Sequence, residues 1–368
     1  MKRLLAVLVV TMVVLSAIPV IASAEPVKLV YMTSWEDKVE YNNYIAEAGE
    51  RFAEENPDLC SGVEILPVSY SGYEAKFQTA LASGTYVCDI FQGQPQTYHS
   101  FADPMPEEFA TWIDENVVDY LRDIGVYKGV RYGIPQEAGN FQQLYINVDM
   151  YEAAGLDINN PPSTMQELKD AAAKLTQYDE NGDISVAGFA IRYSGEGQGI
   201  ADKNLTFFHA FGARMFDPDT MVASGFVNGP EAIEAMNYIK GFLDDNITNL
   251  EIGVPETVFG QGRAAMIMRE SWVVGYLQHN APDINFIVCP APTVDGQTPV
   301  GAGNLFPWAN MVYKDSPNKD VAWKFLQYLY ATPETDLNMV ESAGYLPVLK
   351  VNYDTDYVKS RPDYNSVM

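Results

Sequence analysis

YGIPQEAGNFQQLYINVDMYEAAGLD, residues Tyr132–Asp157, decides how the rest of the chain is read. Gly133 and Pro135 open it, Gly139 breaks it again, and an apolar run follows through Phe141, Leu144, Tyr145, Ile146 and Val148. A helical turn, MYEAAG, comes next, with Gly155 placed as a helix stop. Gly and Pro let the backbone turn as it leaves one packed body, and the apolar strand anchors it in the next. The stretch therefore reads as a crossover between two bodies. Gln136, Glu137, Asn140, Gln142 and Gln143 sit where those bodies would face each other.

Upstream, Val27–Trp35 is a short apolar run read as the first strand. A helix over about 37–56 places Tyr41, Tyr44, Ile45, Ala48 and Phe52 on one face, and Asn56-Pro57 stops it. A strand at Val63–Tyr70, a helix stacking Tyr73, Phe77 and Leu81, and a strand at Cys88–Gly93 follow. Strand–helix–strand–helix–strand in this order predicts right-handed βαβ units and a parallel sheet. Lys128–Pro135 reads as a two-strand turn leading into the crossover.

Downstream, Pro161-Pro162 opens the second body, with Ser163 as helix cap and Gln166 three residues on. Met165, Leu168, Ala172 and Leu175 form the buried stripe of that helix. Asp179–Asp183 lacks the ligand pattern of a calcium loop and reads as an exposed turn. Gly188–Ile191 is a strand, and Leu205–Phe216 reads as a buried aromatic helix. The next helix, Gly229–Asp244, carries Ile233, Met236, Ile239 and Phe242 at three-residue steps. The strands AAMIM (264–268) and NFIVCPAP (285–292) follow, and then PVGAGNLFPW (299–308) returns to the first body. Ser316 caps a last helix whose Ala322, Phe325, Leu326 and Leu329 face inward, and Gly344–Pro347 makes a third passage.

Several of these stretches resemble one family, the family 1 extracellular solute-binding proteins of ABC importers, of the maltose- and multiple-sugar-binding type. LYINVDMYEAAGLD stands where the family has LYYNKDLFEKAGLD, with Ile146 and Val148 replacing Tyr and Lys. YEAKFQTALASGTYVCDI (Tyr73–Ile90) is similar to YxxKLxxALASGxxPDV, and FGQGRAAMIMRESW (Phe259–Trp272) to FxxGKAAMxxxGxW, with Arg263 for Lys and Glu270 for Gly. The family's AWxFlxfl helix and GYLPV turn are present as well. The resemblance implies an α/β, two-lobe periplasmic-binding-protein fold of type II, with three hinge crossings between parallel-sheet lobes. It implies a first lobe of residues 25–138 and 308–342 and a second of 139–307 and 343–368. The second lobe is incomplete beside family members, which continue several tens of residues further.

Composition bounds the reading. The chain has 368 residues, more than one core organises and enough for two domains. Met1–Ala24, with Lys2 and Arg3, an apolar run and the Ala22-Ser23-Ala24 end, reads as a cleaved secretory signal. No Cys follows it to carry a lipid anchor, so a periplasmic or extracellular protein is expected. The net charge of −26 argues against nucleic acid and anionic membrane as partners. Of the three Cys, Cys60 and Cys88 both lie near strand starts, where only geometry decides whether they bridge, and Cys289 reads as a buried thiol. His99, His209 and His279 have no Cys at zinc-ligand spacing, so no metal and no cofactor is expected.

Open α/β sheets bind ligands beyond their strand ends. Those ends hold Trp35 and Glu36, then Gln92 and Gln94, and Trp272 after the AAMIM strand. The crossings hold Asn140, Asn304, Trp308 and Tyr345. Aromatic plates beside amides and a carboxylate suit a sugar, whose rings are apolar on their faces and hydroxylated at their edges. The resemblance implies capture of a sugar or oligosaccharide by a monomer, hinge closure, and delivery to the membrane permease of an ABC transporter. No catalytic motif is recognisable, so an enzyme is not expected. Alternatives are a polyol, glycerol phosphate or polyamine ligand, a sensor subunit, or a secreted glycosidase or lyase. For a phosphate, only Lys38, Arg192 and Arg269 are candidate cleft cations.

Overall fold

The computed structural model describes residues 25–36, 39–138, 142–194, 197–296, 308–330 and 332–364. In chain order the main elements of the first passage are β1 (Val27–Thr33), α1 (Val39–Glu55), β2 (Cys60–Pro67), α2 (Tyr70–Ser83), β3 (Ile90–Gly93), α3 (Glu107–Asn116) and β4 (Gly133–Pro135). Beyond the crossover come β5 (Gln142–Asn147), α4 (Met165–Leu175), α5 (Gly197–Ala210), α6 (Pro230–Asp244) and α7 (Pro255–Gly260). They are followed by β6 (Met266–Glu270), α8 (Trp272–Asn280) and β7 (Phe286–Pro290). The chain then returns through β8 (Ala309–Val312), α9 (Lys319–Tyr330), α10 (Pro333–Ala343) and α11 (Asp356–Ser360).

Two sheets organise these elements. The first runs β2-β1-β3-β8-β4 and the second β6-β5-β7. β1 pairs in parallel with both β2 and β3, as the βαβ pattern requires. The sheets are mixed, however, rather than parallel. β8, which re-enters from the second body, runs antiparallel to β3 and β4, and β5 runs antiparallel to both of its neighbours. The expected strand at 188–191 lies beside β6 through the parallel bridges Ala187–Ala264 and Ala190–Ile267.

Helix stripes explain the packing. Tyr41, Ile45, Ala48 and Phe52 of α1 and Tyr73 and Phe77 of α2 are buried in the first core. Met165, Leu168, Ala172 and Leu175 of α4 are buried in the second. Its N-cap is Thr164, one residue beyond the expected Ser163, in a full capping box with Glu167. Ser163 still contributes, donating from its hydroxyl to the Glu167 carboxylate at 2.9 Å. On α6 the inward residues are Ala232, Ala235, Ile239 and Phe242, while Ile233 and Met236 are exposed. A three-residue step drifts around a helix of 3.6 residues per turn, so a stripe read at that step leaves the buried face. Phe216, expected inside an aromatic helix, lies beyond the end of α5 and is exposed.

Two further expectations change. Cys60, Cys88 and Cys289 are free buried thiols. β1 lies between β2 and β3, which separates their backbones by about 9–10 Å, too far for a bridge. The segment after the third passage packs with the first body rather than the second. Leu346, Val348, Leu349 and Val358 enter the first core, Val118 N–H donates to the Val348 carbonyl at 3.0 Å, and the Asp336 carboxylate accepts the Val348 and Leu349 N–H groups. Burial of the apolar side chains of the LPVL run in that core accounts for this placement.

Candidate functional site

The first wall is built from the end of β1. Gln92 is fully buried, and its Oε1 accepts from the Thr33 hydroxyl, the Ser34 N–H and the Ser34 hydroxyl at 3.0, 2.9 and 3.2 Å. Its Nε2 donates to the Tyr31 hydroxyl at 3.3 Å. Gln92 is therefore turned inward, where it fixes the turn that delivers Trp35. Trp35 is half-buried and stacks on Tyr345 with centroids 5.2 Å apart and planes 16° apart, while Tyr41 meets it edge-on at 4.9 Å. Tyr345 is only 4 % exposed, so it backs Trp35 rather than offering a second open face. Glu36 is exposed, and Gln94 is half-buried before the turn Pro95–Tyr98. Trp308, half-buried, meets Tyr73 edge-on at 6.5 Å, and its carbonyl accepts the Gln136 N–H at 3.2 Å.

The second wall is the end of β6. Arg269 and Glu270 are almost wholly buried there, opposite Gln143 and Gln142 of β5. The Glu270 carboxylate pairs with Lys203 of α5 and with Arg269, and Arg269 also pairs with Glu256 of α7. Burial alone would raise the Glu270 pKa, but Lys203 and Arg269 outweigh it and hold the group at about 2. Trp272 follows at the start of α8, with the Arg269 guanidinium 5.1 Å from its ring centroid and Tyr276 edge-on at 6.0 Å.

Between the walls runs the crossover. Both amide atoms of Gln136, both of Gln142, and Oε1 of Gln143 are buried and find no hydrogen-bond partner among the described residues. Gln143 Nε2 donates to the Ser271 hydroxyl at 2.5 Å. A buried polar group left unpaired costs about 1–3 kcal/mol, so these amides beyond β4 and at the start of β5 call for polar partners. Asn140 and Asn304 lie outside the described residues. Among the described residues there is no group of side chains suited to a metal ion and no helix long and apolar enough to cross a membrane.

Gln136 and Gln142 are buried with side-chain amides unpartnered among the described residues, and neither is among the site residues that the sequence suggests. The Lys203–Glu270–Arg269–Glu256 network has no local signature, because its members come from separate elements. Only Glu270, standing where Gly is the habit, marked that position as unusual.

The bacterial extracellular solute-binding protein family matches residues 35–335. The maltotriose-binding protein of Pyrococcus abyssi (strain GE5 / Orsay) is 26% identical over 330 residues, covering 85% of this chain and 66% of that protein. Among solved structures, the GacH receptor of Streptomyces glaucescens, determined unliganded and in complex with acarbose, aligns with a TM-score of 0.75 at 20% identity over 92% of this chain and 84% of that one. UgpB from Mycobacterium tuberculosis in complex with glycerophosphocholine aligns with a TM-score of 0.77 at 18% identity, over 92% and 85%. These structures share the two-lobe, type II periplasmic-binding fold that the resemblance implies. With the family matched across most of its length, from the end of β1 into α10, the chain belongs to the bacterial extracellular solute-binding proteins.

Proposed function

We propose that the protein captures a neutral sugar or oligosaccharide between the two walls and hands it, unaltered, to the permease of an ABC importer. Trp35 and Trp272 would stack on sugar rings, and Glu36, Gln94, Gln136 and Gln142 would bond their hydroxyls. Trp308 would extend the same surface. Closure would bend the crossings and bring the walls together. Residues 1–24 would be removed on export, and the bodies would comprise 25–138 with the segment from 308 onward, and 142–296.

One observation carries the choice of ligand charge. Arg269 and Lys203, the buried cations of the second wall, are both committed to carboxylates. A phosphate needs cations that are not already neutralised, whereas a sugar needs aromatic faces and amides. The likeness to maltotriose- and acarbose-binding proteins supports the sugar. The likeness to the glycerophosphocholine complex keeps a phosphodiester as the second reading.

The test is a thermal-shift series on the protein from Glu25 with maltotriose, glycerophosphocholine, glycerol 3-phosphate and spermidine. A ligand at a hundredfold excess over its Kd adds about 2.7 kcal/mol of stability. A saturable upward shift with maltotriose, abolished in Trp272→Ala, is the expected result. A shift with the phosphate compounds and none with maltotriose would overturn the neutral-ligand assignment and leave the family intact.

A further inference from the structure

Among the described residues, Arg361, which follows α11, joins the third passage to the second body. It is 7 % exposed, and its partner Asp363 is fully buried. Nε and Nη2 donate to the two Asp363 carboxylate oxygens at 2.8 and 3.0 Å. Nη1 donates to the carbonyls of Gly344 and Tyr345 at 2.9 and 3.1 Å and to the Tyr357 hydroxyl at 2.9 Å. Nη2 also reaches the Ser271 carbonyl at 3.1 Å. One rigid guanidinium thus holds the third passage, at the residue that backs Trp35, and the end of β6, one residue before Trp272. Beside it the two backbones touch, since a Cβ on Gly275 would lie 2.6 Å from Gly344 Cα.

We propose that Arg361 is a positioning residue for ligand capture. It ties the third passage to the second wall at Ser271, one residue before Trp272, and so fixes where the open form presents Trp272. Asp363 neutralises the guanidinium and orients its fork, leaving the remaining N–H groups to grip three carbonyls. The passage is then pinned to the second body at Ser271, and closure pivots about that contact. This reading rests on the sugar-binding proposal for its affinity arm alone.

The experiment compares wild type, Arg361→Lys and Asp363→Asn, with Ile113→Val in the first core as a stability control. Lysine keeps the charge beside Asp363 but cannot reach Ser271 and Tyr345 together. In hydrogen–deuterium exchange without ligand, Arg361→Lys is expected to speed exchange at least tenfold in both 271–277 and 344–347, leaving β1 protected. Asp363→Asn should act in the same direction, and it serves as the test if Arg361→Lys does not fold. Maltotriose Kd is expected to rise at least tenfold in Arg361→Lys and to stay within twofold in Ile113→Val. Exchange that quickens in only one of the two segments, or an equal loss of affinity in Ile113→Val, would overturn the proposal. Should wild type not bind maltotriose, the sugar assignment fails separately, and the exchange arm still decides the role of Arg361.

Discussion

Glu270 shows what a single residue on the second wall does. Its carboxylate, held at about 2 against an ordinary 4.5, contributes stability that is complete above 4.5 and lost as pH falls towards 2. Glu270→Gln leaves Lys203 and Arg269 without that partner, and breaking a buried pair from one side costs about 3–5 kcal/mol. Urea unfolding at pH 7 should show that loss, and the difference from wild type should shrink as pH drops below 4.5. Asp336 behaves oppositely. Burial pushes its pKa up from 3.8 to about 6, even though it accepts the N–H groups of Val348 and Leu349 and the Asn352 amide. The folded chain therefore holds that proton more tightly, and this group's contribution to stability falls as pH rises from 3.8 through about 6. Asp336→Asn should flatten the pH dependence in that window, and an unchanged slope would contradict the assignment. Neither environment is legible in the sequence, since Glu270 meets Lys203 only through folding, and Asp336 meets residues 348 and 349 across a turn.

At the scale of elements, periodicity located the helices and strands because each buries one face. It failed where the buried face is made of small residues. Ala232 and Ala235 let α6 lie close on the second core, and the larger Ile233 and Met236 drew attention to the wrong side. The α8 contact with the third passage was invisible for a related reason, since a glycine inside a helix reads as a weakness. Here Gly275 is needed for close approach. Alanine would gain about 1 kcal/mol of helix propensity but would drive its Cβ to 2.6 Å from Gly344 Cα. Gly275→Ala is expected to destabilise the protein by a net 1–3 kcal/mol or so, the usual cost of overpacking. Stability equal to or above wild type in urea would show that helix and passage can separate freely.

For the whole molecule, the two-body plan was legible because the chain leaves and re-enters its first body through Gly- and Pro-marked segments. The strand directions were not, since a βαβ count says nothing of strands arriving through a crossing. Charge acts at this scale as well. A formal net charge of −26 leaves the folded surface repelling itself, and expansion on unfolding relieves that repulsion. Salt screens exposed charges within about 10 Å at 0.1 M and reaches buried pairs far less. Raising sodium chloride from about 0.01 to 0.5 M, across which the screening length falls several-fold, should therefore raise the melting midpoint of wild type. The Glu270→Gln penalty should persist across the same range, because Lys203 and Arg269 meet that carboxylate out of reach of the ions. A midpoint that is flat or falls with salt would mean that exposed pairs such as Lys28–Glu64 and Lys319–Asp103 already balance the surface field. A Glu270→Gln penalty that vanishes in salt would place the second wall in solvent, and with it the Arg269 guanidinium behind Trp272.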